Sequence, residues 1–239
     1  MGFAVLSRPF VFLVASSLSF TAHGFLHAVK NTKAPTISTL QHSCTKKNQP
    51  QHRFLHSAEL LKMAKLDSPS AQRNKDPIWN VLSSKAFPKL LPKDEGPLKV
   101  LEIAAGCGVH CHHFASKLVE TIPTQDFLWY PSDPDESSCA SIEAYIQESP
   151  TLQGKLQPPV DLFLGEQGAI IIGNNNNNPF LNDTTGTLDL ILCINMIHIS
   201  PWTATLGLMQ VAGKHLKEGG ILFTYGPYKV NGEAVESNL

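Results

Sequence analysis

The chain has 239 residues, 42% of them hydrophobic, with a formal net charge of -1. That is room for one α/β domain plus additional sequence. The charge is unevenly placed: residues 1 to 58 hold six Lys or Arg and no acid, which leaves thirteen bases against twenty acids beyond them. An acidic body excludes a nucleic-acid backbone as the main partner, since such binding rests on clustered Lys and Arg. Five scattered cysteines, Cys44, Cys107, Cys111, Cys139 and Cys193, form no disulfide framework and point to a reducing compartment.

Residues 1 to 60 read as an address. Arg8 precedes an apolar run, Phe10 to Phe20, that is too short to span a bilayer. Ala22 and Gly24 offer a cleavage point, and the acid-free segment to Ser57 has transit-peptide composition. A plastid or mitochondrial destination is expected, with this segment cleaved and not packed on the body. Translation from Met63 would instead give a cytoplasmic form. Residues 61 to 239 are the expected domain.

Asp76 followed by Pro77 predicts a helix start. Strands are predicted over 99–103, 127–130, 188–194 and 221–225, with 160–164 and 170–172 competing as a further one. Helices are predicted over 110–120, 135–147 and 203–217, the last stopped by Gly219-Gly220. The run Asn174 to Asn178 reads as a solvated loop insertion. Strands alternating with helices predict an α/β fold with a doubly wound, mostly parallel sheet that binds ligands at the carboxyl ends of its strands. Glu102, Asp133, Asn195, His198 and Tyr225 then share one edge.

The segment Lys99-Val-Leu-Glu-Ile-Ala-Ala-Gly-Cys-Gly-Val-His110 carries the most chemistry. Gly106 and Gly108 allow a sharp turn and close approach to a ligand, while the first amides of the following helix face it. Cys111 stands where a dinucleotide fingerprint needs its third glycine, which disfavours a nicotinamide-linked oxidoreductase. An acid four residues before the first glycine suits a cationic amino-acid ligand, the usual sign of S-adenosylmethionine (SAM). The nearby cluster Cys107, His110, Cys111, His112 and His113 crowds one loop–helix junction with no second ligand pair, so no metal is expected. Asp133 with Glu136 also fits a capping box, and His198 also fits a residue that packs beneath Trp202.

Taken together, Arg73-Asn-Lys-Asp-Pro-Ile78, the 100–110 segment, Pro131-Ser-Asp133, Leu190 through Pro201 and Thr224-Tyr-Gly-Pro-Tyr228 with Asn231-Gly232 resemble the methyltransferase-like protein 26 family over residues 70 to 239. The resemblance implies a class I methyltransferase, Rossmann-like fold with SAM as cofactor. Glu102 would pair with the ammonium of SAM, Asp133 would accept its ribose hydroxyls, and Gly106, Gly108 and Asn74 would complete the cofactor site. Asn195 and His198 would face the substrate, a small molecule or a protein, with His198 as base. A SAM-binding but inactive interaction module is the alternative. Three departures stand out: the asparagine run replaces expected tryptophans, Asp161 is not clearly on the family's acidic position, and the chain stops early. The last strands are therefore expected to be missing, leaving the edge at Ile221 to Tyr225 unpaired.

Overall fold

The apolar runs bounded by proline, glycine or charge become parallel strands, because a strand buried on both faces needs no polar alternation. The computed structural model describes residues 11–15, 65–91, 96–171, 185–230 and 233–234. In chain order the strands are β1 Val11–Ala15, β2 Leu98–Ile103, β3 Phe127–Ser132, β4 Leu162–Gly165, β5 Gly168–Ile171, β6 Leu188–Ile194, β7 Leu216–Tyr225, β8 Lys229–Val230 and β9 Glu233–Ala234. The helices are α1 Pro69–Val81, α2 Phe87–Leu90, α3 Val109–Thr121, α4 Glu136–Gln147 and α5 Trp202–His215, with a π-helical turn, Leu82–Ala86, joining the first two.

The main sheet has five strands in the order β1-β7-β6-β2-β3, every pair parallel. Alternate residues serve opposite faces. Val100, Trp129, Leu190 and Phe223 pack against Ile78 of α1, Phe114 of α3 and Ile142 of α4. Leu101, Ile191 and Leu222 pack against Leu208 and Val211 of α5 and Leu162 of β4. Helices thus cover both faces, and the sheet is doubly wound as expected. At its amino-terminal edge Asp189, 4% exposed, accepts from the Lys99 amide at 2.8 Å and the Lys217 ammonium at 3.0 Å. This ties the starts of β2, β6 and β7 together.

The structure departs from the sequence reading in several places. Helix α1 begins at Pro69, where Ser68 caps the Ala71 amide, and Pro77 lies inside it. An interior proline removes one backbone hydrogen bond, but burial of Ile78 and Trp79 keeps the helix running. The competing segments at 160–164 and 170–172 pair with each other, as the antiparallel hairpin β4–β5. Among the described residues, isolated parallel bridges, Trp129–Leu156 and Ser132–Val160, are what extends the sheet beyond β3. Gly219-Gly220 lies within β7, where Gly219 takes a φ of 74°. Helix α5 stops earlier, at His215.

The edge of β7 is paired. Val11 to Ala15 run beside Ile221 to Tyr225, with Leu13 7% exposed and Phe12 on the open side. Part of the segment read as an address therefore packs on the body. The rest of residues 1–60, Met63, the asparagine run and Asn231-Gly232 lie outside the described residues. Among the described residues no helix is long and apolar enough to cross a membrane.

Helix α5 lies so close to the β4–β5 turn that a Cβ on Gly207 would sit 2.2 Å from the Gly165 carbonyl oxygen. Gly207→Ala should therefore cost about 2–3 kcal/mol in urea unfolding, because neither backbone can yield cheaply. Leu13→Asp should lower stability by about 2 kcal/mol and promote self-association through the freed β7 edge. Sedimentation velocity that shows a monomer of unchanged melting temperature would contradict the role given to β1.

Candidate functional site

The turn from β2 into α3 is built on left-handed backbone at alternate residues: Ala104 (φ 54°), Gly106 (φ 57°) and Gly108 (φ 90°). Alanine pays for that conformation with about 1–2 kcal/mol of strain, which glycine avoids. Ala104 was not singled out in the sequence; its spacing of two from Gly106 is the signal that marks it. The two glycines differ in purpose. A Cβ on Gly108 would meet Ile142 Cγ1 at 2.9 Å, so this residue lets α3 and α4 close up. A Cβ on Gly106 would meet nothing within 4 Å, so this residue borders open space.

Glu102 sits one residue before the end of β2 and is 1% exposed. Its Oε2 accepts the Trp129 indole N–H at 2.9 Å, while Oε1 is buried without a partner. Burial pushes the carboxyl up to about 8, and the Trp129 bond pulls weakly the other way. Glu102 is thus predominantly a neutral acid at pH 7. An unsatisfied buried polar atom of this kind costs about 1–3 kcal/mol, which a cationic ligand would relieve.

Asp133 follows β3 directly. Its Oδ2 accepts the Gly106 amide at 2.9 Å and its Oδ1 the Asp135 amide at 3.0 Å. Burial raises its pKa, and the two amides oppose that rise. The capping role suggested for it belongs to Asp135, whose carboxylate accepts the Ser138 amide. Asp133 therefore joins the turn after β2 to the turn after β3, facing the glycine loop. Asp161 lies nearby with Oδ1 buried and unpartnered, and with Asp133 it adds to the burial that lifts the Cys139 thiol to about 11.

Between these turns lies an apolar cavity of about 120 Å³, lined by Ala104, Pro134, Leu162, Met196 and Ser200 among others. A larger cleft of about 780 Å³ lies between α3, Tyr145 and Lys65, with Val109 at the start of α3 in its lining. Two of its lysines are already paired, Lys65 with Glu148 and Lys117 with Glu120.

Asn195 follows β6 with a left-handed φ of 58°, and its amide donates to the Tyr225 carbonyl at 2.8 Å. His198 is exposed in the turn that follows. Its Nδ1 lies about 3.5 Å from where a Cβ on Gly226 would stand, and the Tyr228 ring packs on the same glycine. Burial pushes the Tyr228 hydroxyl up to about 12. Glu102, Asp133 and Gly106 thus gather at the tips of β2 and β3, while Asn195 and His198 gather at the tips of β6 and β7.

Asn74 reaches the site through one intermediary: its Oδ1 lies 2.7 Å from His110 Nε2, in the first turn of α3. The other members of the His/Cys cluster point to separate partners, with Cys111 buried in the core. His112 bonds the Ser149 hydroxyl, His113 faces Asp76 at 3.1 Å, and Cys111 donates to the Gly108 carbonyl. Among the described residues no group of three His, Cys, Asp or Glu side chains is placed to hold a metal.

Comparison with solved structures returns several methyltransferases as similar to this chain. Magnesium protoporphyrin IX methyltransferase (ChlM) from Synechocystis PCC 6803, solved with bound SAM, is 16% identical with a TM-score of 0.40, over 69% of this chain and 62% of that one. The CurJ carbon methyltransferase is 22% identical with a TM-score of 0.43, over 72% and 39%. A SAM-dependent methyltransferase from Aquifex aeolicus is 14% identical with a TM-score of 0.39, over 77% and 81%. The chain spans less than two thirds of the length of the first two, and likeness at this level says nothing of substrate. The family model described as protein of unknown function (DUF938) matches residues 65–239. Because that match runs from before α1 through β7 and beyond, taking in the glycine turn and the strand tips, the chain belongs to the DUF938 family.

Proposed function

We propose that the protein is a SAM-dependent methyltransferase, and that its cofactor lies across the tips of β2 and β3. The single observation that carries this reading is Glu102: a buried carboxyl at a strand tip with one oxygen unpartnered, beside a glycine turn whose Gly106 borders open space. Such a group fits the ammonium of an amino-acid ligand and fits a nicotinamide dinucleotide poorly. Asp133, at the next strand tip, is placed for ribose hydroxyls. The cavity between Pro134, Leu162 and Met196 offers an apolar slot beside it. The resemblance to the methyltransferase-like protein 26 family supports the same assignment, and adds Asn74, held by His110, to the cofactor side.

When bound, SAM supplies a methyl group on a sulfonium, a good leaving group that needs an aligned nucleophile more than it needs acid catalysis. The chain's own residues would position the acceptor. Asn195, in its left-handed turn, and exposed His198 face that side, with His198 placed to take a proton from an acceptor hydroxyl, amine or thiol. Tyr228 and Gly226 form the adjoining wall. The substrate is a small molecule or a protein. The acid-free first 58 residues support an organelle destination.

Calorimetry with S-adenosylhomocysteine should show binding to the full chain. Asp133→Ala should weaken it by roughly tenfold or more, by loss of a charge-assisted contact worth about 1.5–3 kcal/mol. Gly106→Ala should lower stability by only about 1 kcal/mol yet weaken binding just as strongly, since its methyl would enter the open space. Unchanged affinity in both variants would place the ligand elsewhere.

His198→Ala should separate the two sides of the site. Affinity for S-adenosylhomocysteine should stay within about twofold, while transfer of a labelled methyl group to an acceptor in a metabolite extract should fall about 100-fold. Equal loss of both would make His198 structural.

A further inference from the structure

We infer that Trp129 is a positioning residue for the cofactor's ammonium, holding Glu102 so that Oε1 alone meets the ligand, and that Glu102 surrenders a proton to solvent when the ligand binds. The inference rests on the SAM reading above and extends it to how the buried acid is oriented and charged.

The geometry is specific. Strands β2 and β3 run parallel with Glu102 opposite Pro131, which leaves the Trp129 side chain on the same face, two residues toward the amino end. Trp129 is fully buried, and its ring packs against Phe114 of α3 with centroids 6.1 Å apart. It has little freedom to swing. An indole N–H can only donate, so it fixes Oε2 as an acceptor in both charge states of the acid. The proton of the neutral acid then sits on Oε1, the atom without a partner.

The groups around Glu102 are neutral. Cys111 from α3 lies on its face of the sheet, and Cys193 from β6, opposite Ile103, lies on the other face. Both are buried, and their thiols are raised first by burial and then by Glu102 itself, Cys193 to about 12. From β3 the Ser132 hydroxyl is spent on the Glu102 backbone carbonyl at 2.9 Å. Burial and the Trp129 bond are what set its acidity, and burial wins, holding the acid near 8.

A cationic ammonium arriving at Oε1 changes this balance. The neutral acid and the ammonium become a carboxylate–ammonium pair, the Oε1–H bond breaks, and the proton leaves to buffer; no electron changes hands. Charge on the site rises by one with the ligand's ammonium and falls by one with the proton. The pair formed in the interior is neutral, which is how a buried carboxylate becomes tolerable there. Affinity is then linked to pH: below the acid's midpoint each unit of pH adds roughly tenfold, and above it affinity levels off.

The test uses the full chain and S-adenosylhomocysteine, which keeps the ammonium and lacks the sulfonium charge. Titrations at pH 6.5 in buffers of different ionisation enthalpy should show about one proton released per ligand, falling toward zero near pH 9. Trp129→Phe keeps most of the ring and loses the N–H. Its affinity should fall several-fold at pH 7 and recover at higher pH, because the midpoint moves up; a merely structural loss would weaken binding equally at every pH. Glu102→Gln should abolish proton release and flatten the pH profile. If Trp129→Phe does not fold, the wild-type and Glu102→Gln comparison still decides proton release. Carboxyl-labelled glutamate NMR of the wild type, free and with ligand, then reads whether one oxygen stays held on the indole N–H while its partner takes the ammonium. Binding of S-adenosylhomocysteine without proton release, or a Trp129→Phe profile parallel to wild type, overturns this inference and leaves the cofactor reading standing. No binding by the folded wild type overturns both.

Discussion

The rest of the structure depends on the double burial of β2. Strands on both sides and helices or the β4–β5 hairpin on both faces leave its side chains no route to water except near its two ends. Val100, Leu101 and Ile103 satisfy that constraint as ordinary apolar residues, and Glu102 breaks it. The exception is tolerable because the acid stays neutral and one indole N–H answers one of its oxygens. The turn that follows must then change direction within a few residues, and it does so through left-handed backbone at 104, 106 and 108. Asp133 closes the arrangement by grasping the Gly106 amide from the next strand.

Two buried titratable groups narrow the range of pH over which this arrangement is stable without ligand. Glu102 is raised from 4.5 to about 8, so the folded state holds a proton that the unfolded chain has released, and stability falls as pH climbs through that interval. His110 is lowered from 6.5 to about 4, first by burial and then by His113 and Lys75. The unfolded chain takes up that proton first, so stability falls as pH drops below about 6.5. Between 4.5 and 6.5 the two slopes oppose each other. Both groups border the same turn, one under its start and one just past its end.

Most of the sheet was legible in the sequence because buried parallel strands are written as unbroken apolar runs, of which Leu188–Ile194 is the clearest. The edge carrying Glu102, Asp133 and Asn195 followed from strand ends alone. What escaped notice was set by partners distant in sequence. Ser68-Pro69 and Asp76-Pro77 both spell a helix start, and only the burial of Ala71 together with Ile78 extends one helix across both. Asp133 and Asp135 both fit a cap; the backbone at Asp135 settles it, leaving Asp133 for the glycine loop. Ala104 hid because alanine rarely takes a left-handed turn, and Trp129 hid because an indole bond to an acid 27 residues away has no local signature. The segments at 162–165 and 168–171 were ambiguous for a plain reason: each is the other's partner.

The pairing of β1 with β7 joins Val11 to Ile221, almost the full length of the chain apart. During synthesis the first strand leaves the ribosome long before its partner exists. For that whole interval Leu13, which the finished sheet buries, stands open to chaperones and targeting factors. Contacts of such sequence separation also form slowly, after the local helices and inner strands. Any reading of these residues as an address therefore competes with a clock that stops when Tyr225 emerges and the edge of the sheet closes over Leu13.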